Sequence, residues 1–334
     1  MPHPTLFTTD RSPFHQKRAL DAAPPELTVT MLAHPTEADL LPHLAHTEYW
    51  ISERVGLIDA KHLQAAPNLK LILRLGSMHY DIDLVAAKAA GVIVCKWPDA
   101  GAVAVAEHSV MQMLALIKKL REVQAVALEA STQWGTSRRT DENTFSYNWS
   151  RRQHINTLHG QTVGILGFGE IGSELARRLR NWGCTLLYTK RNRLPDRAES
   201  YLGLTYVDHV TLRAESDILV NLLPYSSETI NLINADWLAA MKSGAMLVSC
   251  GSGGTIDEPA LAESIRSRHI AGAAMDSYAI EPLQTDNPLV TLAREGANIL
   301  LTPHTAAGNG WSRTVEYTNI LHHLHGESIL YRVI

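Results

Sequence analysis

Short apolar runs alternate with helical patterns along most of the chain. The runs with the length and the Val, Ile and Leu content of buried strands are LTVTMLA (27–33), KLILRL (70–75), GVIVCKW (91–97), TVGIL (162–166), CTLLYT (184–189), DILVNLL (217–223), AMLVSC (245–250), IAGAAMD (270–276) and NILLTP (298–303). Segments with helical spacing lie between them, which is the rhythm of parallel β-α-β units. The pattern therefore predicts an α/β protein with parallel sheets.

Four segments depart from this rhythm. Residues 1–26 are polar and contain proline, so we expect an arm or an irregular lead-in. From Val103 to about Ala130, apolar residues fall on two helical faces, which predicts one long buried helix. Residues 131–157 are polar and aperiodic and read as a long surface connection that carries four aromatic side chains. The stretch WSRTVEYTNILHHL near the end predicts a final helix.

Composition narrows the class of protein. A chain of 334 residues with 45% hydrophobic residues is long enough for two domains, each with a packed core. The formal net charge of -4 argues against general nucleic-acid binding, and no apolar run is long enough to predict a membrane span. The N-terminus shows no secretory signal, and the three cysteines are far apart, which is typical of reduced thiols in a cytoplasmic protein.

The C-terminal histidines do not predict a metal site. On a helix, only His322 and His325 would share a face, and no third ligand is evident. We expect a solvated helix face there and no metal.

A glycine-rich turn follows one of the predicted strands. The predicted cofactor-binding residues in it are Gly167, Phe168, Gly169, Glu170, Ile171 and Gly172. The spacing G-x-G-x-x-G between a strand and a helix gives a tight turn, a close approach of the backbone to a pyrophosphate, and close packing of helix on sheet. The free amides and the dipole of the helix N-terminus attract the anion. The motif predicts a bound dinucleotide.

The end of the next strand indicates which dinucleotide. A carboxylate that bonds the ribose 2′-hydroxyl normally lies about 20 residues after the motif. Lys190 stands at this position, and Arg191 and Arg193 follow. These cations would pair with a 2′-phosphate, which a carboxylate would repel. The sequence therefore favours NADP over NAD.

Several motifs together resemble the D-isomer-specific 2-hydroxyacid dehydrogenase family, which includes glycerate, phosphoglycerate and formate dehydrogenases. They are VAEH (105–108), GFGEIG (167–172), LLPYSSET (222–229), GGTIDEPAL (253–261), the MD…EP segment (275–282) and TPH (302–304). The resemblance implies two doubly wound parallel-sheet domains. Residues 1–104 and 305–334 would form the substrate domain, and residues 105–304 would form a dinucleotide-binding domain of Rossmann type. It also implies a homodimer.

The resemblance also assigns chemistry to residues after the later strands. His304 matches the family's proton-transferring histidine, and Glu281 matches the glutamate that orients it and keeps it charged. Further cofactor contacts are implied at Pro224, Thr229, Cys250, Gly251, Asp276 and Ala306.

Three positions depart from the family pattern in the substrate pocket. Ser252 stands where the family has an arginine that grips the substrate carboxylate, and a hydroxyl cannot form a bidentate ion pair. In the substrate loop, of which Ser77, Met78 and His79 are the implied contacts, Met78 replaces a flexible glycine. Gly101 replaces an asparagine. An ordinary 2-hydroxy-acid substrate therefore does not follow from the resemblance.

Alternative functions remain open at this point. The first is an NADP-dependent reductase of an unusual carbonyl or 2-oxo compound, positioned with help from Ser252, His79 or Tyr80. The second is an ordinary 2-oxo acid reductase in which Arg74 or Arg152 replaces the missing arginine. The third is a dinucleotide-binding regulatory protein without turnover, and other chemistry such as elimination is also open. The small-molecule substrate itself is not identified by the sequence.

Overall fold

Parallel strands form the framework of the protein. The structure, a computed structural model, describes residues 2–53, 56–145, 147–308 and 313–334. Within these ranges the strands are β1 (His3–Thr9), β2 (Leu27–Ala33), β3 (Tyr49–Ser52), β4 (Leu71–Leu75), β5 (Ile93–Trp97), β6 (Thr162–Leu166), β7 (Thr185–Thr189), β8 (Leu204–Tyr206), β9 (Ile218–Asn221), β10 (Ala245–Ser249), β11 (Ile270–Met275) and β12 (Ile299–Leu301).

Helices connect these strands. They are α1 (Pro13–Asp21), α2 (Glu37–Leu44), α3 (Ala60–Ala65), α4 (Leu84–Ala89), α5 (Ala100–Ile117), α6 (Leu120–Glu129), α7 (Glu170–Leu179), α8 (Asp196–Leu202), α9 (His209–Glu215), α10 (Ala235–Ala239), α11 (Glu258–Arg266), α12 (Pro288–Arg294) and α13 (Thr318–His325). Short 3-10 turns cover Thr132–Trp134, Gly253–Thr255 and Arg313–Tyr317.

The chain divides into two compact units, Met1–Val103 with Asn309–Ile334, and Ala104–Gly308. The first unit holds a parallel sheet of five strands in the order β2-β1-β3-β4-β5. The second unit holds a parallel sheet of seven strands in the order β12-β11-β10-β9-β6-β7-β8. In both sheets the strand order reverses beside the first strand of the unit, as in doubly wound folds. The α/β class with two parallel-sheet domains is confirmed, including the Rossmann type of the second.

The prediction of an irregular arm over residues 1–26 is wrong. Strand β1 lies inside the five-stranded sheet, and α1 follows it. The sequence hides this strand because threonine takes many of its buried positions: Thr5, Thr8 and Thr9 are at most 2% exposed. Their β-branched side chains suit a strand, and their hydroxyls find partners, as where Trp50 Nε1 donates to Thr8 Oγ1 at 3.0 Å.

The single long helix predicted from Val103 to about Ala130 is also wrong. The chain breaks between α5 and α6 at Lys119, whose φ of 49° lies in the left-handed region. Helix α5 is packed in the core along much of its length, whereas α6 buries only Val126 and leaves Leu128 77% exposed. The break brings Arg121 within 2.7 Å of the carbonyl oxygen of Ile299, so α6 is fastened to the edge of the seven-stranded sheet.

Other features of the structure concern a membrane, a metal ion and a partner subunit. By length and composition, α5 alone among the described helices could cross a membrane, and 44% of it is buried inside the protein. No three His, Cys, Asp or Glu side chains within the described ranges are grouped to hold a metal ion. The described residues of the connection 131–157 have little regular structure, and Phe145 and Tyr147 are exposed. The homodimer stays a prediction.

A buried ion cluster joins separate segments of the first unit. Glu53 accepts from Arg11 Nε at 2.9 Å and from Arg313 Nη2 at 3.3 Å. Arg313 Nε also lies 2.8 Å from a carboxylate oxygen of Glu316. Burial raises the pKa of Glu316 to about 7, against the opposing influence of Arg313.

Replacing Glu316 by Gln should remove a pH-dependent part of the stability. The folded-state pKa lies above the ordinary value of 4.5, so this contribution is complete below about pH 4.5 and is lost as pH rises through about 7. The free energy of unfolding of the wild type, minus that of Glu316→Gln, should therefore fall by roughly 1–3 kcal/mol between about pH 5 and about pH 8. Urea unfolding measures it. Glu263→Gln, at an exposed position, is the control, and a difference that does not vary with pH would contradict the prediction.

Candidate active site

The predicted site segments of the second unit follow the carboxyl ends of neighbouring parallel strands. The glycine turn follows β6, the basic loop follows β7, and Pro224 follows β9. Ser252 follows β10, Asp276 follows β11, and His304 follows β12. The carboxyl ends of parallel strands lie at one edge of a sheet, which is where doubly wound folds bind their ligands. The fold thus brings these residues to one edge, whereas Ser77, Met78 and His79 belong to the first unit.

The glycine turn has the form that a dinucleotide requires. Gly167 has a φ of +83°, and a Cβ there would lie about 3 Å from the backbone of Leu222 and Leu223. A Cβ on Gly172 would lie 2.9 Å from the Phe168 ring, whereas the space above Gly169 is open for 4 Å. Ser173 donates to the Gly169 carbonyl at 3.0 Å, so the amides before it are not used within helix α7. The turn fits a bound pyrophosphate.

One predicted cofactor residue of the basic loop has an acidic partner in the structure. Arg193 is held by Glu199, with Nε and Nη2 at 2.8 and 2.7 Å from its two carboxylate oxygens. The same carboxylate accepts from Tyr188 Oη at 2.7 Å, and the hydrogen bond from Arg193 lowers the pKa of Glu199. Arg193 therefore cannot offer this fork to a 2′-phosphate. Arg191 is exposed and Lys190 is half-buried, so these two are the better candidates.

His304 and Glu281 form the pair that the resemblance implies. His304 Nδ1 lies 2.7 Å from Glu281 Oε2, and the imidazole is 62% exposed. The other carboxylate oxygen of Glu281 accepts from the backbone amide of Tyr278 at 2.9 Å, which fixes its orientation. Because Nδ1 faces the carboxylate, Nε2 is the nitrogen that can exchange a proton with a substrate.

The loop that carries His304 is attached to Asp276. The Asp276 carboxylate is buried and accepts from the amides of Thr305 and Ala306 at 3.0 and 2.8 Å. It also accepts from the Thr302 hydroxyl at 2.6 Å. The predicted cofactor residues Asp276 and Ala306 are therefore bonded to each other, and Ala306 is itself buried.

Ser252 has a neighbour that the sequence does not reveal. Its hydroxyl oxygen accepts from the backbone amide of Tyr225 at 3.0 Å. Tyr225 is 61% exposed. Its ring lies close to Gly254, because a Cβ on that glycine would be only 2.8 Å from it. A Cβ on Gly253 would lie 2.0 Å from the Tyr278 carbonyl carbon, so the Ser252 turn and the Glu281 loop touch along their backbones.

The remaining predicted cofactor residues have clear structural partners. The Thr229 hydroxyl donates to the Pro224 carbonyl at 2.7 Å and closes the turn after β9. The Cys250 thiol donates to Gln112 Oε1 at 3.3 Å, and burial raises its pKa to about 12. The Gly251 carbonyl accepts from the Ser277 hydroxyl. These contacts shape the sheet edge.

The substrate residues predicted in the first unit lie in the loop after β4. Ser77 and Met78 are buried, and His79 is half-buried. Arg74, offered as a substitute cation, is 3% exposed and donates to Asp81 Oδ2 at 2.8 Å. Gly101 lies in the first turn of α5, where its amide donates to Asp99.

Arg152, the other offered cation, lies in the connection 131–157. It pairs with Glu122 at 3.2 Å, and its guanidinium carbon lies 5.2 Å from the Trp134 ring centre. Both substitute arginines thus have acidic partners, which weakens the reading that either replaces the arginine missing at position 252.

Sequence reasoning missed several residues that hold the site together. His108 Nε2 lies 3.0 Å from the Thr302 hydroxyl, and Glu258 accepts from the amide of Ala279, in the loop before Glu281, at 2.8 Å. The signal for them was present, because His108 lies in VAEH, Glu258 in GGTIDEPAL and Thr302 in TPH. The motifs identified the family, but only the structure shows what these side chains touch.

Comparison with known proteins agrees with this architecture. The family model for the NAD-binding domain of D-isomer specific 2-hydroxyacid dehydrogenases matches residues 110–306. A putative 2-hydroxyacid dehydrogenase of Haemophilus influenzae is 32% identical over 283 residues, which cover 84% of each chain. The chain therefore belongs to the D-isomer specific 2-hydroxyacid dehydrogenase family.

Other relatives differ in length or substrate. D-3-phosphoglycerate dehydrogenase of Archaeoglobus fulgidus is 34% identical over 251 residues, which cover 75% of this chain and 44% of the relative, so this chain spans about half the length of such relatives. Glyoxylate reductase of Thermococcus onnurineus is 32% identical over 264 residues, or 79% of this chain and 73% of the relative. The solved PH0520 protein of Pyrococcus horikoshii is 26% identical with a TM-score of 0.58 and is matched over 100% of this chain and 95% of its own.

Proposed function

We propose that this protein is an NADP-dependent oxidoreductase that transfers a hydride between nicotinamide and a carbonyl or 2-oxo compound of the 2-hydroxy-acid type. The observation that carries the proposal is the His304–Glu281 pair, joined at 2.7 Å, on the sheet edge that also bears the glycine turn. A bound nicotinamide dinucleotide would supply the hydride. The amides at the start of α7 would hold its pyrophosphate, and Lys190 and Arg191 would face the 2′-phosphate.

The protein's own contribution to the reaction is a proton. In the direction of reduction, His304 Nε2 donates its proton to the carbonyl oxygen as the carbonyl carbon accepts the hydride, and the product is an alcohol. Glu281 stabilises the imidazolium before the transfer and keeps the ring oriented. In the direction of oxidation the neutral imidazole accepts the hydroxyl proton. A regulatory protein without turnover would have no use for this pair, which is why we favour an enzyme.

The identity of the substrate turns on Ser252. The relative named glyoxylate reductase favours a small 2-oxo acid as a second candidate. Against it stands the hydroxyl at position 252, which is already an acceptor for the Tyr225 amide and carries no charge for a carboxylate. We therefore propose a carbonyl substrate whose binding does not depend on an arginine–carboxylate pair.

NADPH should bind more tightly than NADH by about 1–3 kcal/mol, the scale of charge-assisted hydrogen bonds. Raised salt should weaken this preference, because the cations are near the surface. Arg191→Gln should reduce NADPH affinity and leave NADH affinity unchanged. The control is Arg268→Gln. Arg268 is exposed and precedes the amino end of β11, whereas the basic loop follows the carboxyl end of β7. Fluorescence titration measures the six dissociation constants, two for each protein, and equal affinities of the wild type for both cofactors at low salt would refute the NADP assignment.

His304→Ala should abolish turnover because it removes the proton donor. NADPH affinity should stay nearly intact, since the phosphates and the adenosine would bind at the glycine turn and the basic loop. His325→Ala, at an exposed position on α13, is the matched control and should behave as the wild type. Near-normal kcat in His304→Ala on a substrate of the wild type would show that another group transfers the proton.

Simple 2-oxo acids such as pyruvate, glyoxylate and hydroxypyruvate should be poor substrates, with high KM and low kcat. A buried arginine grip on a carboxylate is worth roughly 2–4 kcal/mol, and a serine offers at most one neutral hydrogen bond. Ser252→Arg should raise activity on these acids, whereas Ser252→Ala should not. A substrate panel with NADPH tests this, and efficient turnover of the acids by the wild type would favour the second candidate.

A further inference from the structure

A second acid–histidine pair lies behind the loop that carries His304. His108, on helix α5, has its Nε2 atom 3.6 Å from Asp276 Oδ1 and 3.0 Å from Thr302 Oγ1. The side chains of His108 and Asp276 are 14% and 2% exposed, so water has little access to the contact. VAEH supplies the histidine and TPH supplies the threonine, and neither residue has a role in the proton transfer proposed above.

The hydrogen bonds of this group have one consistent direction. The Thr302 hydroxyl has a single proton, and its shortest contact is the one to Asp276 Oδ1 at 2.6 Å. The hydroxyl oxygen must then accept from His108, which assigns the imidazole proton to Nε2. Gln112, one turn further along α5, adds a longer contact to the same hydroxyl at 3.5 Å. A chain of hydrogen bonds therefore runs from His108 through Thr302 to Asp276.

The Asp276 end of this hydrogen-bond chain restrains the backbone conformation around His304. Asp276 accepts from the amides of Thr305 and Ala306, the two residues that follow His304. His304 itself has a φ of 54°, a left-handed conformation that residues other than glycine adopt only where their surroundings hold them. The Asp276 carboxylate supplies this restraint on one side, and the His304 amide donates to the Thr302 carbonyl at 3.0 Å on the other.

We propose that His108 and Thr302 are positioning residues. They fix the buried Asp276 carboxylate, which in turn holds the backbone of His304 in the conformation that directs Nδ1 at Glu281 and leaves Nε2 for the substrate. The effect on the geometry of His304 does not depend on the reaction, whereas the effect on the rate of turnover rests on the proposed function. Neither residue touches the reacting atoms.

The central test is the pair Thr302→Val and Thr302→Ser. Valine has the shape of threonine without the hydroxyl, so it interrupts the hydrogen-bond chain. Serine keeps the hydroxyl and should retain these hydrogen bonds. With NADPH and an accepted carbonyl, kcat of Thr302→Val should fall about 10- to 100-fold, as expected when a catalytic group is misplaced by a fraction of an ångström to one ångström. KM and the NADPH dissociation constant should change less than about threefold, and Thr302→Ser should stay near the wild type.

A second readout does not depend on any substrate. Histidines labelled with ¹³C at Cε1 give ring signals in the intact 334-residue chain, and the His304 signal is identified by its loss in His304→Ala. This signal should move in Thr302→Val and return to its wild-type position in Thr302→Ser. Thr291→Val, at an exposed position on α12, should leave it unchanged. If no carbonyl is reduced by the wild type, the proposed function fails, but this measurement still decides the positioning role.

His108 provides an independent test if Thr302→Val does not fold. His108→Gln keeps an N–H donor near the position of Nε2 and should leave kcat and the His304 signal near the wild type, whereas His108→Leu should change both as Thr302→Val does. In the double variant His108→Leu with Thr302→Val, kcat should fall no further than in either single variant, because both substitutions interrupt the same chain of hydrogen bonds. An unmoved His304 signal in the interrupted variants, or additive losses in the double variant, would overturn the proposal.

Discussion

The site depends on one buried carboxylate. Asp276 is 1% exposed and accepts from a hydroxyl and from two consecutive backbone amides. A carboxylate at this depth costs a large desolvation free energy unless its oxygens are bonded, and here they are. Through these bonds the end of β11 is joined to the loop after β12. The geometry of His304 and Glu281, which follow these two strands, is therefore a property of the packed sheet edge and not of a flexible loop.

The sequence predicts the fold well where apolar periodicity is strong. Strands such as β6 and β10 are continuous apolar runs, because both faces of a central parallel strand are buried, and their positions could be read directly. Strand β1 could not, since threonine fills many of its buried positions and the pattern then resembles a polar lead-in. Strand β8 has only three residues, which is too short for any period to show. The break at Lys119 could not be predicted, because no glycine or proline marks it in the sequence.

The site divides in a similar way. Motif spacing could indicate that the His304 and Glu281 segments meet, because parallel strands bring their carboxyl ends to one edge. It could not indicate that Arg193 is bound to Glu199, since a long side chain chooses among neighbours that only the folded loop supplies. The same holds for Ser252 and Tyr225, whose contact joins the turns after β10 and β9. Sequence identifies which residues reach the edge, and packing decides which of them remain available to a ligand.

Gly253 marks a close approach of two backbone segments at the site. A Cβ at this position would overlap the Tyr278 backbone, so every larger residue is excluded without regard to the substrate. The serine at position 252, immediately before it, is bonded at its hydroxyl by the Tyr225 amide. The main-chain path of the turn is thus set by its packing on the Tyr278 backbone. An exchange at Gly253 would therefore push apart the turn that carries Ser252 and the loop that leads to Glu281, so the spacing of these two segments depends on a residue without a side chain.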